Sequence, residues 1–429
     1  MSFSCGIDFG TSNSALSIAH EDGGVTLASV EGESVTLPSA VFYPASGAPA
    51  FGRAALHHFI GGAEGRFMRS LKRILGTPLM AQGTSVNGKN RKFEDILRDF
   101  IGHMKAKAET QAGQPLQNVV MGRPVHFIDG DSAADARAQS ELESIARAAG
   151  FRHVEFQYEP IAAAFAHEQK IQGEKLALVA DIGGGTSDFT VIRLSADRAR
   201  KAERQDDILA NSGVRVGGND FDKDLCLCAF MPELGLRTAY GDKRLPLPLG
   251  IFFDMSEWSK VNFLYTPKTR AMAQEILSQT HAPHLFGRFV KLLRDETGHQ
   301  LLAAVEDAKI ALTESAAVTA DLGFIETGLR PAVTRAEMDG ATARHVESIQ
   351  AAIGECLKQA GTQAGEIGLV VLTGGTTEVP AVRSAISQAF AQADISEGDK
   401  LSSVGLGLGH DSLRRFGGTA PLHRTHAKG

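Results

Sequence analysis

One motif occurs twice in this chain, and its repetition decides the fold. The first copy, at residues 6–13, reads Gly6-Ile7-Asp8-Phe9-Gly10-Thr11-Ser12-Asn13. The second copy, at residues 180–188, reads Ala180-Asp181-Ile182-Gly183-Gly184-Gly185-Thr186-Ser187-Asp188. Each copy follows an apolar run, places an aspartate ahead of glycine, and continues through Thr-Ser into another stretch typical of a β-strand. The repetition predicts a duplicated half-domain whose two turns face each other across a cleft.

The residue types in both turns are those that bind nucleotide phosphates. Glycine lets the main chain approach a phosphate closely, and hydroxyl and amide side chains donate hydrogen bonds to it. The aspartates beside the turns, Asp8 and Asp181, would be repelled by phosphate unless a cation intervened, which implies Mg²⁺. One such turn alone is more often an ordinary hairpin with an Asx-type hydrogen bond. Two matching copies favour the phosphate site.

Composition indicates a globular protein. The chain has 429 residues, 43% of them hydrophobic and 22% charged, which suits roughly two to four subdomains. Its net charge of −6 gives no reason to expect a nucleic-acid partner or attraction to an anionic membrane. We expect a soluble, cytoplasmic monomer, because the N-terminus lacks a secretory signal and no run reaches the roughly 18 apolar residues that span a bilayer. The four scattered cysteines predict neither a disulfide framework nor a zinc site, and Cys226 and Cys228 are expected at ordinary helix positions.

The predicted elements follow the order of an α/β protein. We predict a helix over residues 53–76, and we expect residues 241–267 to be the least regular segment. The glycine-rich run at 405–409 is predicted to be a flexible turn into the last helix. That run lacks the third glycine of a dinucleotide fingerprint, and the sequence contains no G-x-x-x-x-G-K-[ST] loop.

Further segments accompany the two turns in a fixed order. They are Leu71-Lys72-Arg73-Ile74-Leu75-Gly76, Tyr158-Glu159-Pro160-Ile161-Ala162-Ala163-Ala164, Gly217-Gly218-Asn219-Asp220-Phe221-Asp222, the helix face of Glu306, Lys309 and Thr313, and Gly374-Gly375-Thr376-Thr377 with Pro380. With these segments, nearly the whole chain resembles the ATPase domain of the seventy-kilodalton heat-shock (DnaK-type) chaperones, within the actin, sugar-kinase and heat-shock superfamily. The resemblance implies a duplicated actin-like (ribonuclease H-like) ATPase fold of the α/β class, with two lobes around a nucleotide cleft.

The resemblance also implies lobe boundaries. Lobe I takes residues 1–172 plus about 395–429, with an insertion subdomain at about 40–115. Lobe II takes residues 173–394, with an insertion subdomain at about 218–300. Chaperones of this family continue through an apolar linker into a peptide-binding β-sandwich, whereas about 20 residues with a basic character follow Gly409 here. Client-peptide binding therefore does not follow from the resemblance by the usual route.

Each matching residue receives a role from the resemblance. Lys72, Glu159, Asp181 and Thr186 are the implied catalytic residues, in hydrolysis of ATP by in-line attack of water, and Asp8 and Asp181 are the implied Mg²⁺ ligands. The implied nucleotide-binding residues are Gly10, Thr11, Ser12, Asn13, Gly183, Gly184, Gly185, Gly217, Gly218, Glu306, Lys309, Thr313, Gly374, Gly375 and Thr376. The implied cofactors are ATP or ADP with Mg²⁺, and K⁺ is a further candidate. Without the resemblance, Lys72 would read as a solvent-facing lysine, Glu159 as a helix N-terminal acid, and Glu306 with Lys309 as a surface pair.

Two positions depart from the family pattern. Ile310 stands where the chaperones carry an arginine that stacks on adenine, and Glu378 stands where an arginine is usual. Neither side chain replaces a planar cation, so nucleotide affinity and base preference stay open. Surplus length lies around residues 230–300, whose aromatic residues are either a partner surface or local packing. These aromatic residues are Phe252, Phe253, Trp258, Phe263 and Tyr265.

Four functions are compatible with these features. The first is a weak stand-alone ATPase that acts as a chaperone-like, nucleotide-gated protein with a protein partner or client. The second is a small-molecule kinase of the same superfold, although no segment matches a sugar-kinase signature. The third is a nucleotide-dependent filament or scaffold like the bacterial actins. The fourth is a pseudo-ATPase that binds a partner through the lobe II insertion, which Ile310 and Glu378 favour.

Overall fold

The computed structural model describes residues 3–128, 130–168, 171–201, 203–396 and 403–417. Its strands are β1 Ser4–Phe9, β2 Asn13–Ala19, β3 Val25–Leu27, β4 Thr36–Pro38, β5 Ala40–Pro44, β6 Ala50–Phe51, β7 Gly65–Arg69, β8 Gly83–Val86, β9 Lys89–Lys92, β10 Asn118–Arg123, β11 His153–Tyr158, β12 Lys175–Ile182, β13 Ser187–Leu194, β14 Ile208–Val214, β15 Ala239–Tyr240, β16 Leu245–Pro246, β17 Ala317–Thr319, β18 Ala332–Thr334, β19 Ile367–Thr373 and β20 Asp394–Ser396. Its α-helices are α1 Gly52–Ile60, α2 Phe93–Ala112, α3 Ser132–Ala148, α4 Glu159–Glu168, α5 Gly218–Leu225, α6 Leu249–Met255, α7 Pro267–Gln279, α8 Pro283–Asp295, α9 Gly298–Ala311, α10 Arg335–Ala360, α11 Pro380–Ala389 and α12 Ser403–Phe416. Among these described residues, no helix is both long and apolar enough to cross a bilayer.

The first sheet is built on the first copy of the motif, which forms the antiparallel β1–β2 hairpin. Its strand order is β11-β10-β1-β2-β3, with β4 paired to the start of β2. β10 runs parallel to β1 and to β11, whereas β3 runs antiparallel to β2. The apolar run before the first turn is explained by its position, since Cys5, Ile7 and Phe9 of β1 are buried against α2 and α3.

The second sheet repeats this arrangement around the second copy of the motif. β12 and β13 form the antiparallel hairpin, and the strand order is β14-β13-β12-β19-β20. As in the first sheet, two parallel strands lie on one side of the hairpin and an antiparallel strand lies on the other. The predicted duplication is therefore confirmed by the strand order.

The two sheets share one buried cluster of side chains. Ala162 of α4 and Leu408 of α12 belong to this cluster, together with Val120 from the first sheet and Val179 and Val371 from the second. Helices α4 and α12 therefore connect the two halves through a common apolar core.

The prediction of a flexible turn at residues 405–409 is wrong. These residues lie inside α12, which packs against β1, β2 and α4. A Cβ added at Gly407 would overlap the carbonyl oxygen of Ala162, and one added at Gly6 would overlap the backbone of Gly409. The glycines thus allow close packing of backbones, a need that local sequence does not distinguish from turn formation.

The single helix predicted over residues 53–76 is also wrong. Helix α1 ends at Ile60, and the chain continues as strand β7, which pairs antiparallel with β5. Lys72 then lies in a 3₁₀ turn, Leu71–Ile74, rather than on a long helix. The glycines that follow α1 end the helical pattern, and pairing with β5 overrides the helical spacing of the basic residues.

The irregular segment at 241–267 contains strand β16, one short α-helix, α6, and a 3₁₀ turn, Val261–Leu264. Its aromatic residues divide between core and surface. Phe252 is fully buried, and Trp258 and Tyr265 pack as partly buried side chains against the core of the second half. Phe253 and Phe263 are exposed. Local packing therefore accounts for most of the aromatic cluster. Cys226 and Cys228 lie in a π-helical turn, which agrees with the prediction that they occupy helix positions. All four cysteines are free.

Candidate functional site

The two hairpin turns lie against each other. A Cβ added at Gly184 in the second turn would lie 2.5 Å from Oγ of Ser12 in the first. A Cβ added at Gly185 would overlap the guanidinium of Arg73, which follows β7 of the three-stranded sheet β6-β5-β7. Only glycine leaves room for these approaches, so the structure brings the turns of both halves to one place.

Four ionisable residues from different elements meet beside these turns. Lys72 Nζ donates a 2.6 Å hydrogen bond to Glu159 Oε1, and the two side chains are only 11% and 13% exposed. Glu159 begins α4 directly after β11, where Gly122 of the neighbouring β10 leaves space for it. Asp8 and Asp181 lie within electrostatic range of this pair. Three carboxylates thus surround one buried ammonium group.

The crowding of negative charge raises the pKa values of both aspartates. Burial is the main cause for Asp8, whose pKa rises to about 7, with Glu159 raising it further and Lys72 opposing the rise. Burial also raises the pKa of Asp181 to about 8, with Glu159, Asp188 and Asp8 adding to the effect. Burial alone would lower the pKa of Lys72, yet the neighbouring carboxylates raise it above its ordinary value. The cluster lacks enough positive charge of its own, which is the condition in which a bound cation is stabilised.

The second turn rests on the start of α5. The backbone N–H groups of Gly218 and Asn219 donate to the carbonyl oxygens of Gly183 and Gly184, at 2.9 and 2.8 Å. A Cβ added at Gly217 would lie 2.5 Å from the nitrogen of Gly185, so this contact also requires glycine. Gly183 N–H donates to Thr186 O and closes the turn.

The third glycine loop reaches the same place from β19. Gly374 follows the residue that pairs with Asp181, and it has a left-handed φ of 81°. A Cβ at this position would lie 2.9 Å from Oδ1 of Asp181 and would overlap the carbonyl of Ile182. Thr376 Oγ1 donates to Gly183 O at 2.8 Å, so the loop, which also includes Gly375, is bonded to the second turn.

The remaining positions of the first turn complete the cluster. Gly10 accepts a hydrogen bond from Ser39 at its carbonyl, and Thr11 lies between Gly10 and Ser12. Asn13 begins β2, where it pairs with Pro38. The structure therefore brings together the predicted residues of both turns and of the third glycine loop.

The predicted nucleoside residues lie on α9 and at its end. Lys309 Nζ forms a 2.7 Å ion pair with Asp222 Oδ1 and contacts Gly218 O at 3.5 Å. Burial raises the pKa of Asp222 to about 6, with Lys309 opposing the rise and Glu306 adding to it. Thr313 follows α9, and its hydroxyl donates to the carbonyl of Ile310.

The two departures from the family pattern are both at the surface. The side chain of Ile310 is 56% exposed, and Glu378 lies 4.0 Å from Arg383 in a partly exposed ion pair. Apolar and acidic groups thus occupy the positions expected to hold stacking arginines. The nucleoside end of the site therefore differs in its chemistry from the glycine turns.

Helix α9 also contacts the first half of the chain at its N-terminal end. The ring of His299 lies edge-on to Phe59, with centroids 4.3 Å apart, and 5.1 Å from the ring of Trp258. Arg69 of β7 lies over Trp258 at 5.2 Å. Gln300 Nε2 donates to the carbonyl of Ile60 at 3.4 Å. These contacts join α1 and β7 to α9 and to the irregular segment.

A family model described as Hsp70 protein matches residues 4–233 and 291–406, well over half of the chain. The chain belongs to the Hsp70 family. At family level it is a chaperone-type, nucleotide-binding ATPase with the actin-like fold, as the resemblance of its motifs predicted. Residues 234–290 fall outside the match, and they include α6, Trp258 and α7.

Sequence reasoning did not assign roles to three residues that the structure places at the site. Arg73 lies against Gly185, Asp222 pairs with Lys309, and Arg69 stacks on Trp258. Arg73 and Asp222 lie within the motifs that carried the resemblance, so their position in those motifs could have identified them as site residues. No pattern in the sequence indicated Arg69, because its partner lies in the segment outside the family match.

The residues present suit a magnesium-bound nucleotide. Asp8 and Asp181 supply the carboxylate oxygens that Mg²⁺ prefers, and their raised pKa values mark a surplus of buried negative charge. The glycine turns leave the main chain uncovered where phosphates would be held. Lys72 adds one buried cation beside these carboxylates.

Proposed function

We propose that this chain binds ATP or ADP with Mg²⁺ and hydrolyses ATP slowly by in-line attack of water on the γ-phosphate. The observation that carries the proposal is the Lys72–Glu159 ion pair beside Asp8 and Asp181, between two facing glycine turns. In this proposal Lys72 contacts the γ-phosphate and the attacking water, while Glu159 holds the ammonium group in place. Thr11 and Thr186 donate to phosphate oxygens. Such catalysis depends on positioning and electrostatic stabilisation.

The metal in this proposal is held by Asp8 and Asp181 and neutralises part of the phosphate charge. Binding of Mg²⁺ displaces protons from these carboxylates, so with pKa values of about 7 and about 8 it releases protons near neutral pH and strengthens as the pH rises. Gly183, Gly184 and Gly185 present the main chain to the phosphates. Asp188, which is exposed at the start of β13, orders water in this arrangement.

We further propose that the halves act as lobes with the predicted boundaries, 1–172 plus about 395–429 and 173–394. Nucleotide exchange would then change the angle between them and gate binding of a protein partner. The contacts of Phe59 and Arg69 with α9 and Trp258 lie where such a movement would separate the halves. The scattered cysteines support a cytoplasmic setting.

The deciding experiment is calorimetric titration of the full chain with ATP, ADP and GTP, with and without Mg²⁺, followed by single-turnover hydrolysis. We expect magnesium-dependent binding and slow release of phosphate. Binding without any turnover above buffer would contradict the enzymatic half of the proposal. Absence of binding would contradict the whole of it.

A second candidate, a pseudo-ATPase that serves as a scaffold, is favoured by the nucleoside end of the site. Lys309 is paired with Asp222, and Ile310 replaces the stacking arginine. This candidate predicts magnesium-dependent binding with no hydrolysis, so the same single-turnover experiment separates the two. Phosphorylation of a sugar panel, or sedimentation on addition of ATP, would instead support the kinase or filament alternatives.

A further inference from the structure

A groove of about 280 Å³ opens on the surface of the second half, at the opposite end of α5 from the glycine turns. Apolar side chains from Leu227 of the π-helical turn, Leu236, Leu249 and Phe253 line it. The groove is separate from the candidate nucleotide site, which involves the first residues of α5. It is therefore a second concave surface of the molecule.

The two walls of the groove differ in origin. One wall consists of Asp224, Leu227, Cys228, Ala341 and Arg344, all within the residues matched by the family model. The other consists of Leu236, Arg237, Leu249 and Phe253, all within the unmatched residues 234–290. The groove is thus completed by the segment in which this chain departs from its family.

The apolar wall is left uncovered by the chain's own packing. Leu249 is 50% exposed and Phe253 is 41% exposed, whereas Phe252 on the same helix is fully buried in the core of the second half. Helix α6 therefore anchors itself through Phe252 and presents Phe253 outward. Leu245 in β16 adds another exposed side chain beside α6. When a partner covers an apolar surface of this kind, the free energy of the complex is lowered.

The charged groups around the groove that can still pair with a partner are positive. The buried carboxylate of Asp224 already accepts from Arg344 Nη2 at 3.1 Å and from His345 Nε2 at 2.8 Å. Arg344 is nevertheless 71% exposed, and Arg237 is exposed without an ion pair or side-chain hydrogen bond among the described residues. The backbone of Arg237 has a left-handed φ of 72°, which places a non-glycine residue in a conformation of higher energy.

The neighbouring acidic groups lie outside the lining of the groove and have partners of their own. Glu257 pairs with Lys223 and Lys260, and Glu337 is engaged by the backbone and hydroxyl of Thr334. Lys223 itself lies over the ring of Phe253 at 5.9 Å. Among the residues that line the groove, two arginines accompany one carboxylate, so the lining is net positive and a complementary ligand carries carboxylates.

We propose that this groove binds a short segment of a protein partner in which an aliphatic or aromatic side chain lies next to one or two carboxylates. The apolar side chain packs against Leu249 and Phe253. The carboxylates pair with Arg237 and with the exposed guanidinium of Arg344, which favours charge-assisted hydrogen bonds. Charge complementarity at the rim and the uncovered apolar wall together define this partner.

The test uses the full chain and a phage-displayed random peptide library as the probe. We expect enriched peptides to combine Leu or Phe with Asp or Glu, and a fluorescently labelled consensus peptide to bind in a saturable manner. Arg237→Glu and Phe253→Ser should each weaken binding at least tenfold. The matched controls Arg152→Glu and Phe263→Ser, which change exposed side chains outside the groove, should leave the affinity unchanged.

Thermal unfolding of every variant separates loss of binding from loss of folding. Enrichment of basic or uncharged peptides, or affinity that survives Arg237→Glu in a folded variant, would overturn the proposal. A selection without enrichment would overturn it as well. If sedimentation velocity shows a dimer that Phe253→Ser converts to monomer, the occupant is a second copy of the chain and the proposed partner is wrong.

Discussion

The two ends of the candidate nucleotide site balance their charges to different extents. Beside the glycine turns, Asp8 and Asp181 share one lysine with Glu159, and their pKa values are raised. On α9, Lys309 already has its own carboxylate in Asp222, and Ile310 carries no charge. Burial and Glu306 also raise the pKa of Asp222, but only to about 6. The difference teaches that the phosphate end, where three carboxylates share one lysine, depends more on a ligand to balance its charge than the nucleoside end does.

Removal of the shared lysine should have the largest effect. In Lys72→Ala, the γ-phosphate loses its cation, and we expect ATP turnover to fall roughly 10²–10³-fold. Single-turnover phosphate release measures this loss. Lys105→Ala, which removes another lysine from an ion pair with Glu109, is the matched control and should keep wild-type turnover. Equal loss in both variants would mean that charge at the phosphate end has no special role.

Lys309→Ala tests whether the nucleoside end is balanced internally. It leaves the buried carboxylate of Asp222 unpaired, and we expect the free energy of unfolding to fall by roughly 3 kcal/mol. The double variant Lys309→Met with Asp222→Leu should recover most of this loss, because it removes both charges. Urea denaturation measures all three proteins. A variant with unchanged stability but weaker nucleotide binding would instead make Lys309 a nucleotide ligand.

Gly374→Ala tests the close approach at the phosphate end. The new Cβ would meet Asp181 and Ile182 at a left-handed φ, so we expect a loss of about 2–3 kcal/mol in unfolding free energy and weaker nucleotide binding. Gly354→Ala in α10, where a Cβ meets only open space, is the matched control. It should be neutral or stabilising by about 0.5–1 kcal/mol. The opposite ranking would show that the third loop tolerates a side chain.

The start of α9 should respond to pH. Burial, together with Arg69, lowers the pKa of His299 to about 4 from an ordinary value of 6.5. The folded state therefore favours neutral His299. The contribution of His299 to the free energy of unfolding is complete above pH 6.5 and declines as the pH falls toward 4. We expect a loss of about 2 kcal/mol between pH 7.5 and 5. Urea unfolding followed by fluorescence of Trp258, the only tryptophan, measures it, and His299→Gln should flatten the dependence.

The smallest expected effect is a gain at the nucleoside end. Ile310→Arg supplies a planar cation for stacking on a base, and we expect adenine nucleotides to bind roughly two- to fivefold more tightly, about 0.5–1 kcal/mol. Ile310→Lys adds the same charge without the planar group and should improve binding less. Calorimetry with ADP compares them. Equal improvement by both variants would assign the gain to net charge alone.

Most of the fold and much of the site were predictable from sequence, for a physical reason that the residues show. Asp8 and Asp181 lie in turns directly after buried strands, and the glycines beside them serve a local requirement for main-chain access. Such features depend on neighbours in the chain, so a pattern of residues is enough to indicate them. The strand order of both sheets then confirmed the duplication.

Two sequence predictions were wrong where glycines or basic residues served distant contacts. The run at 405–409 is helical because it packs tightly against β1 and α4, and residues 65–69 form β7 because β5 pairs with them. The same limitation applies to Arg69 and Asp222, whose partners lie far away in the chain. Local propensity carries no information about these distant partners.

The sequence by itself determined the duplicated α/β fold, the family and the residues of the glycine turns, because each is encoded in contiguous motifs. Only the tertiary structure decided that Lys72 pairs with Glu159, that Lys309 is held by Asp222, and that residues 234–290 complete a positive, apolar groove. These features depend on burial and on charges brought together from separate elements. These interactions contribute to the free energy only when the chain has folded and has brought the groups together.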